Sequence, residues 1–155
     1  RLFGEPGAEE TWFSDDMAIE EYDPTKTLNV GRAEISFAPT VHYVPCWAIR
    51  VGGGDSPDLV YTADTGPAAN LGTFGRGGGV LVAEAALLEP GAEPMETRGH
   101  LTAAEAAALA NETGASTLVL THIWEELEPA RFVERAASIF RGRLELARPG
   151  VSVSW

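Results

Sequence analysis

Cysteine occurs once in this chain and histidine three times, and 11 basic residues face 23 acidic ones. A lone Cys46 excludes an intrachain disulfide and fits a reducing compartment, so a cytoplasmic location is expected. The formal net charge of -12 sets up a field that repels nucleic acid unless a basic patch or a metal reverses it locally. Arg141, Arg143 and Arg148 are the nearest thing to a basic cluster. No apolar run approaches the roughly 20 residues that span a bilayer, and no membrane association is expected. Repeats and convincing interdomain linkers are also missing. The 155 residues, 45% of them hydrophobic, suit a single domain with one sizeable core.

What is present is a run of short apolar strands followed by helices. Residues 1 to 30 are acidic and broken by Gly4, Gly7 and Pro24, which leaves their structure poorly specified. Within them, the stretch from Ser14 reads either as a helix capped by Ser14 or as an edge strand over Met17 to Tyr22, and the strand is favoured. "NVGRAEISFAP" alternates as one strand, with Ala33, Ile35 and Phe37 on one face. "CWAIRV", "LVYTAD" and "VLVAEA" are further strands. The period then turns helical in "LTAAEAAALANETG", where Thr102 and Glu105 form a capping box and Gly114 sits at the C-cap. "TLVLTH" returns to strand. "EPARFVERAASIF" is a second helix with Pro129 in its first turn, and "RLELA" and "VSVSW" close the chain as short strands. Strands buried under helices define a layered α/β arrangement.

Three polar residues stand at or near strand ends, where ligands gather in open α/β sheets: Asp64, Glu84 and His122. The structural alternative is that Asp64 caps the "DTG" turn and His122 caps the following helix. His42 lies in a polar break between strands, and His100 directly precedes the capping box, aimed across a helix N-terminus. Each alone has an ordinary explanation; their conjunction carries the weight. Two glycine-rich runs, "GRGGG" and "GGGDSPD", fail as phosphate loops because neither follows a strand and opens a helix. There is no G-x-S-x-G elbow, and Cys46 has only His42 as a nearby nucleophilic partner.

The ordered set "FAPTVH", "LVYTADTG", "VLVAEA", "GHLTAAEAAALANETG" and "TLVLTH" closely resembles the C-terminal half of metallo-β-lactamase-fold hydrolases, nearest to their RNase Z-like branch. The resemblance runs from about Tyr22 to the end. It implies an α+β layered fold, half of a four-layer αββα sandwich with a mixed sheet and two main helices. It implies that His42 and His122 each ligate a metal, that Asp64 bridges two metals, and that His100 contacts the scissile phosphate with Glu84 close behind it. The implied cofactor is a pair of Zn2+ ions, with Mn2+ or Fe2+ as alternatives, and the implied reaction is attack of a metal-held hydroxide on a phosphodiester or related ester.

The departures from the family's pattern set further expectations. The signature H-x-H-x-D-H is absent, and three histidines in total leave no room for it. The chain is therefore expected to need a missing N-terminal half, or a second copy across an exposed sheet face, and to be inactive alone. "AEAA" stands where RNase Z proper carries "HEAT", and no tRNA-gripping arm fits in the short connection between His42 and Asp64. With the acidic charge, this argues against tRNA as substrate. A non-catalytic binding or self-association module is the alternative.

Overall fold

A computed structural model describes residues 20–154. The described residues form one seven-stranded sheet whose spatial order equals its sequence order. The strands are β1 (Leu28–Val30), β2 (Ala33–Pro39), β3 (Trp47–Gly52), β4 (Asp58–Tyr61), β5 (Gly78–Glu84), β6 (Thr117–Thr121) and β7 (Arg143–Leu146). Three α-helices accompany them: α1 (Leu71–Gly75), α2 (Ala103–Thr113) and α3 (Pro129–Ala137). The first four strands pair antiparallel and the last four, β4 to β7, parallel, so the sheet is mixed. Because β2 and β4 both run opposite to β3, the C-terminal ends of β2, β4, β5 and β6 all open on the same edge.

The helices cover one face. Val60, Leu81, Ala83, Leu118 and Leu120 point into a core closed by the Ala103–Ala106–Ala107–Ala110 side of α2 and by Phe132 and Ala136 of α3. Four alanines, all with no exposed surface, let α2 lie close on the sheet, and a larger side chain there costs about 1–3 kcal/mol in displaced neighbours. The predicted capping box of α2 is formed: the Glu105 N–H donates to Thr102 Oγ1 at 3.2 Å, and the Thr102 N–H to Glu105 Oε2 at 2.8 Å. Gly114 closes the helix in the left-handed region with φ 75°.

The opposite face is also apolar. The strand registers place Leu28, Ile35, Phe37, Ile49, Val51, Leu59, Tyr61, Val80, Val82 and Val119 together on it. No helix among the described residues lies over this face.

Several expectations are corrected. "NVGRAEISFAP" is two strands, because Gly31 takes φ 62° and turns the chain so that Val30 pairs with Ala33. "VSVSW" is not a strand over residues 151–154; among the described residues β7 ends the sheet, and no strand pairs with that stretch. Glu20 to Tyr22 are not in a strand, and Met17 to Ile19 lie outside the described residues. No helix among the described residues is long and apolar enough to cross a membrane.

Candidate metal centre

The common strand edge gathers His42, Asp64, Glu84, His100 and His122. His42 follows β2, Asp64 follows β4, Glu84 ends β5, His100 precedes the cap of α2, and His122 follows β6. Asp64 lies between two histidines, with Oδ1 3.1 Å from His122 Nδ1 and Oδ2 3.7 Å from His42 Nε2. The imidazole of His100 stands beside both, its ring centroid 5.0 Å from that of His42 and 5.3 Å from that of His122.

Hydrogen bonds behind the rings decide which nitrogens face the centre. A carbonyl oxygen only accepts, so His42 Nδ1 carries its proton toward Gly99 O at 3.0 Å, leaving the Nε2 lone pair toward Asp64. His100 Nδ1 likewise donates to Glu84 Oε1 at 2.9 Å, which leaves its Nε2 free. Glu84 is fully buried, and its remaining capacity is taken by the Thr65 N–H on Oε1 (2.9 Å) and the Ala86 N–H on Oε2 (3.0 Å). This carboxylate orients other groups. Asp64, by contrast, keeps 35% of its side-chain surface.

Glu84, His100 and His122 also offer ligand atoms within 4.8 Å of one another. Both Glu84 oxygens already serve protein donors, so the donor set with free lone pairs is Asp64 with the histidines. Neutral imidazole and carboxylate suit zinc and other divalent ions, and the carboxylate's two oxygens suit a bridge. These residues fit a divalent metal.

Backbone conformation sharpens the placement. Ala63, just before Asp64, has φ 50°, and His122 has φ 58°, both in a region that non-glycine residues rarely adopt. The turn before Asp64 is held by Thr62 Oγ1–H donating to Ala63 O at 2.8 Å, and the loop beyond it by the Gly66 N–H donating to Val41 O at 2.7 Å. His122 is therefore no helix cap; the residue before α3 is Glu128, which makes no side-chain cap bond.

Around His100, Arg98 is almost wholly buried, donating from Nε to His100 O at 3.1 Å and pairing with Glu105. The capping carboxylate of α2 thus also fixes the chain that carries His100. Sequence reasoning missed Arg98, Thr65 and Tyr43. The Tyr43 ring sits 5.1 Å from His42 and 5.6 Å from His100, and Gly99 leaves no room for a Cβ against it, with Tyr43 Cε2 at 2.7 Å from that position. The signal was proximity in sequence: Thr65 and Tyr43 adjoin Asp64 and His42, and Arg98 stands two residues before His100.

A model of the beta-lactamase superfamily domain matches residues 6–123, spanning the whole cluster. The chain belongs to the beta-lactamase superfamily. It is 30% identical over 129 residues to the probable metallo-hydrolase YhfI of Bacillus subtilis, covering 83% of this chain and 52% of that protein. A ribonuclease Z of Haloarcula marismortui is 36% identical over 95 residues, 60% of this chain and 30% of that one. The crystal structure of the metallo-beta-lactamase fold protein YhfI superposes with a TM-score of 0.75 at 29% identity, covering 84% of this chain and 53% of that chain. A diphosphatase from the PhnP family shares the fold at a TM-score of 0.61 and 19% identity, over 84% of this chain and 46% of that chain. The chain thus spans about half the length of the YhfI protein that it matches. Its relatives are metallo-hydrolases, and its fold is that of the metallo-beta-lactamases.

Proposed function

We propose that this chain supplies half of the ligand set of a dinuclear metal hydrolase acting on a phosphodiester or related ester. The observation that carries the reading is Asp64, which turns one carboxylate oxygen toward each of two histidines from separate strand ends. His42 and Asp64 would hold one zinc, and Asp64 and His122 the other. Zinc bound there supplies an activated water and neutralises charge developing on the ester oxygens.

The protein groups do the rest. Gly99 O and Glu84 fix the ring orientations of His42 and His100, so little reorganisation is needed when ligand arrives. His100 Nε2 faces the centre without belonging to the bridge, beside where a phosphoryl oxygen would lie, its ring held by Glu84. A diphosphatase and ribonuclease Z enzymes among the relatives support phosphoryl chemistry. The net charge of -12 speaks against tRNA as the substrate. Lone Cys46 favours a cytoplasmic setting.

Remaining ligands would come from elsewhere, and the apolar face that no described helix covers is where a second half would pack. Isolated residues 1–155 then bind zinc weakly and turn over nothing. Calorimetric zinc titration of the protein and of Asp64→Asn tests the reading. Loss of the weak zinc signal in the variant, with an unchanged circular dichroism spectrum, is the expected result; equal affinity would sink it.

A further inference from the structure

A groove of about 530 Å³ opens beside His122, between the chain leaving β6 and the chain leaving β7. We propose that it is a subsite for a planar heteroaromatic substituent of the substrate, one bearing both hydrogen-bond donors and acceptors, as a nucleobase does. The proposal rests on the hydrolase reading for the substrate's ester, but the groove's own chemistry selects the substituent.

Three walls carry the inference. Trp124, two residues beyond His122, is 62% exposed, a large aromatic left in water at the edge of the polar cluster. Its carbonyl accepts the Leu127 N–H at 3.0 Å, which anchors its backbone to the short 3-10 turn Glu125–Leu127. Across the groove, Arg148 follows β7 on a segment registered to β6 by the Ala147 N–H donating to Leu120 O at 2.8 Å. Arg148 makes no ion pair with the described residues, although acidic groups outnumber basic ones in this chain. Glu126 lines the same groove as an acceptor, and Leu146 gives it an apolar floor.

Each alternative occupant leaves at least one wall unused. A simple anion would not need an exposed indole and would be repelled by Glu126. An aliphatic chain would strand both the guanidinium and the carboxylate without partners. A heteroaromatic ring stacks on Trp124, accepts from the Arg148 fork at its carbonyl or ring nitrogen, and donates N–H to Glu126. Because the groove starts at His122, such a ring would be joined to a phosphoryl group lying at the centre.

Equilibrium binding to the protein, expressed from its complete reading frame, tests this with guanosine monophosphate, guanosine and inorganic phosphate as probes, with and without zinc. Guanosine monophosphate should bind the zinc-loaded protein about tenfold or more tighter than phosphate, as expected for one stacked base. Guanosine should bind the metal-free protein saturably. Trp124→Ala should erase the preference, Trp124→Phe should keep most of it, and Arg148→Gln should reduce it. Trp124 is exposed, so these variants keep the fold, checked by circular dichroism. Equal affinity for guanosine monophosphate and phosphate, or a preference that survives Trp124→Ala, would overturn the subsite. If zinc fails to tighten phosphate while guanosine still binds through Trp124, the subsite stands and the metal reading falls instead.

Discussion

Glu84 Oε1 lies 2.9 Å from His100 Nδ1, and the carboxylate making this contact has no exposed surface. A sealed carboxylate is tolerable only because three donors meet it: His100 and the Thr65 and Ala86 N–H groups. Glu84→Ala strands all three and should cost about 3 kcal/mol of stability, read by urea denaturation. Glu84→Gln keeps the volume and one acceptor and should cost about half as much. An alanine variant as stable as the parent would show that the network is not under stress.

Gly66 has no space for a side chain, since a Cβ there would collide with the Arg98 carbonyl. That carbonyl belongs to the segment leading to His100, so the collision is with backbone and cannot be relieved by rotating a side chain. Gly66→Ala should therefore destabilise the protein by about 3 kcal/mol and disturb the His42–Asp64 pairing. Thermal unfolding indistinguishable from the parent would contradict the close approach.

Burial raises the phenol pKa of Tyr61 above its ordinary value, and the negative charge of Asp64 adds to the effect. The folded state then holds this proton more tightly than the unfolded chain does. Its contribution to stability is complete below about pH 10 and is lost as pH climbs through the raised folded value. Tyr61→Phe should flatten the fall in stability above pH 10, measured by denaturation across the alkaline range. An unchanged slope would refute the assignment.

The apolar face that no described helix covers should make residues 1–155 associate when expressed alone. Leu28 and Val30 are exposed at its edge, and Ile35, Phe37, Ile49, Val51 and Leu59 are only half-buried. Contiguous apolar surface beyond a few hundred Å² is rare on soluble monomers. Light scattering should report dimers or larger species, dispersed by co-expression of the segment that completes the sandwich. A clean monomer at high concentration would remove the need for a partner.

Much of this arrangement was legible in the residues. The strands from β4 to β6 showed as short apolar runs because both of their faces carry apolar side chains, and α2 announced itself through Thr102, Glu105 and Gly114. Asp64, Glu84 and His122 stood out at or near the ends of apolar runs, whereas His42 and His100 gained roles only through the family resemblance. Other elements had no such mark. Helix α1 is a five-residue turn with glycines at Gly72 and Gly75, no side-chain cap and no period long enough to read. The β1–β2 turn was passed over although the alternation slips there, Val30 and Ala33 being three residues apart with Gly31 at φ 62° between them. "VSVSW" has the alternation of a strand, but pairing is a property of a neighbour, and among the described residues β7 already ends the sheet. The division between Asp64, which faces the histidines, and Glu84, which orients one of them, lay in hydrogen bonds that spacing does not encode.

The order of the strands bears on how the molecule is made. Every strand from β1 to β7 lies beside the one that precedes it in the chain. During synthesis each new strand therefore meets a finished edge, and none has to be wedged between two that are already joined. The crossovers in the parallel half delay pairing only by the length of one helix and its loops. The edge cluster is assembled in the same direction: His42 and Asp64 come into reach early, and the loop bearing Trp124 leaves the ribosome only after His122. A chain truncated just past His122 would carry His42, Asp64, Glu84 and His100 on a sheet that lacks only its last strand, β7.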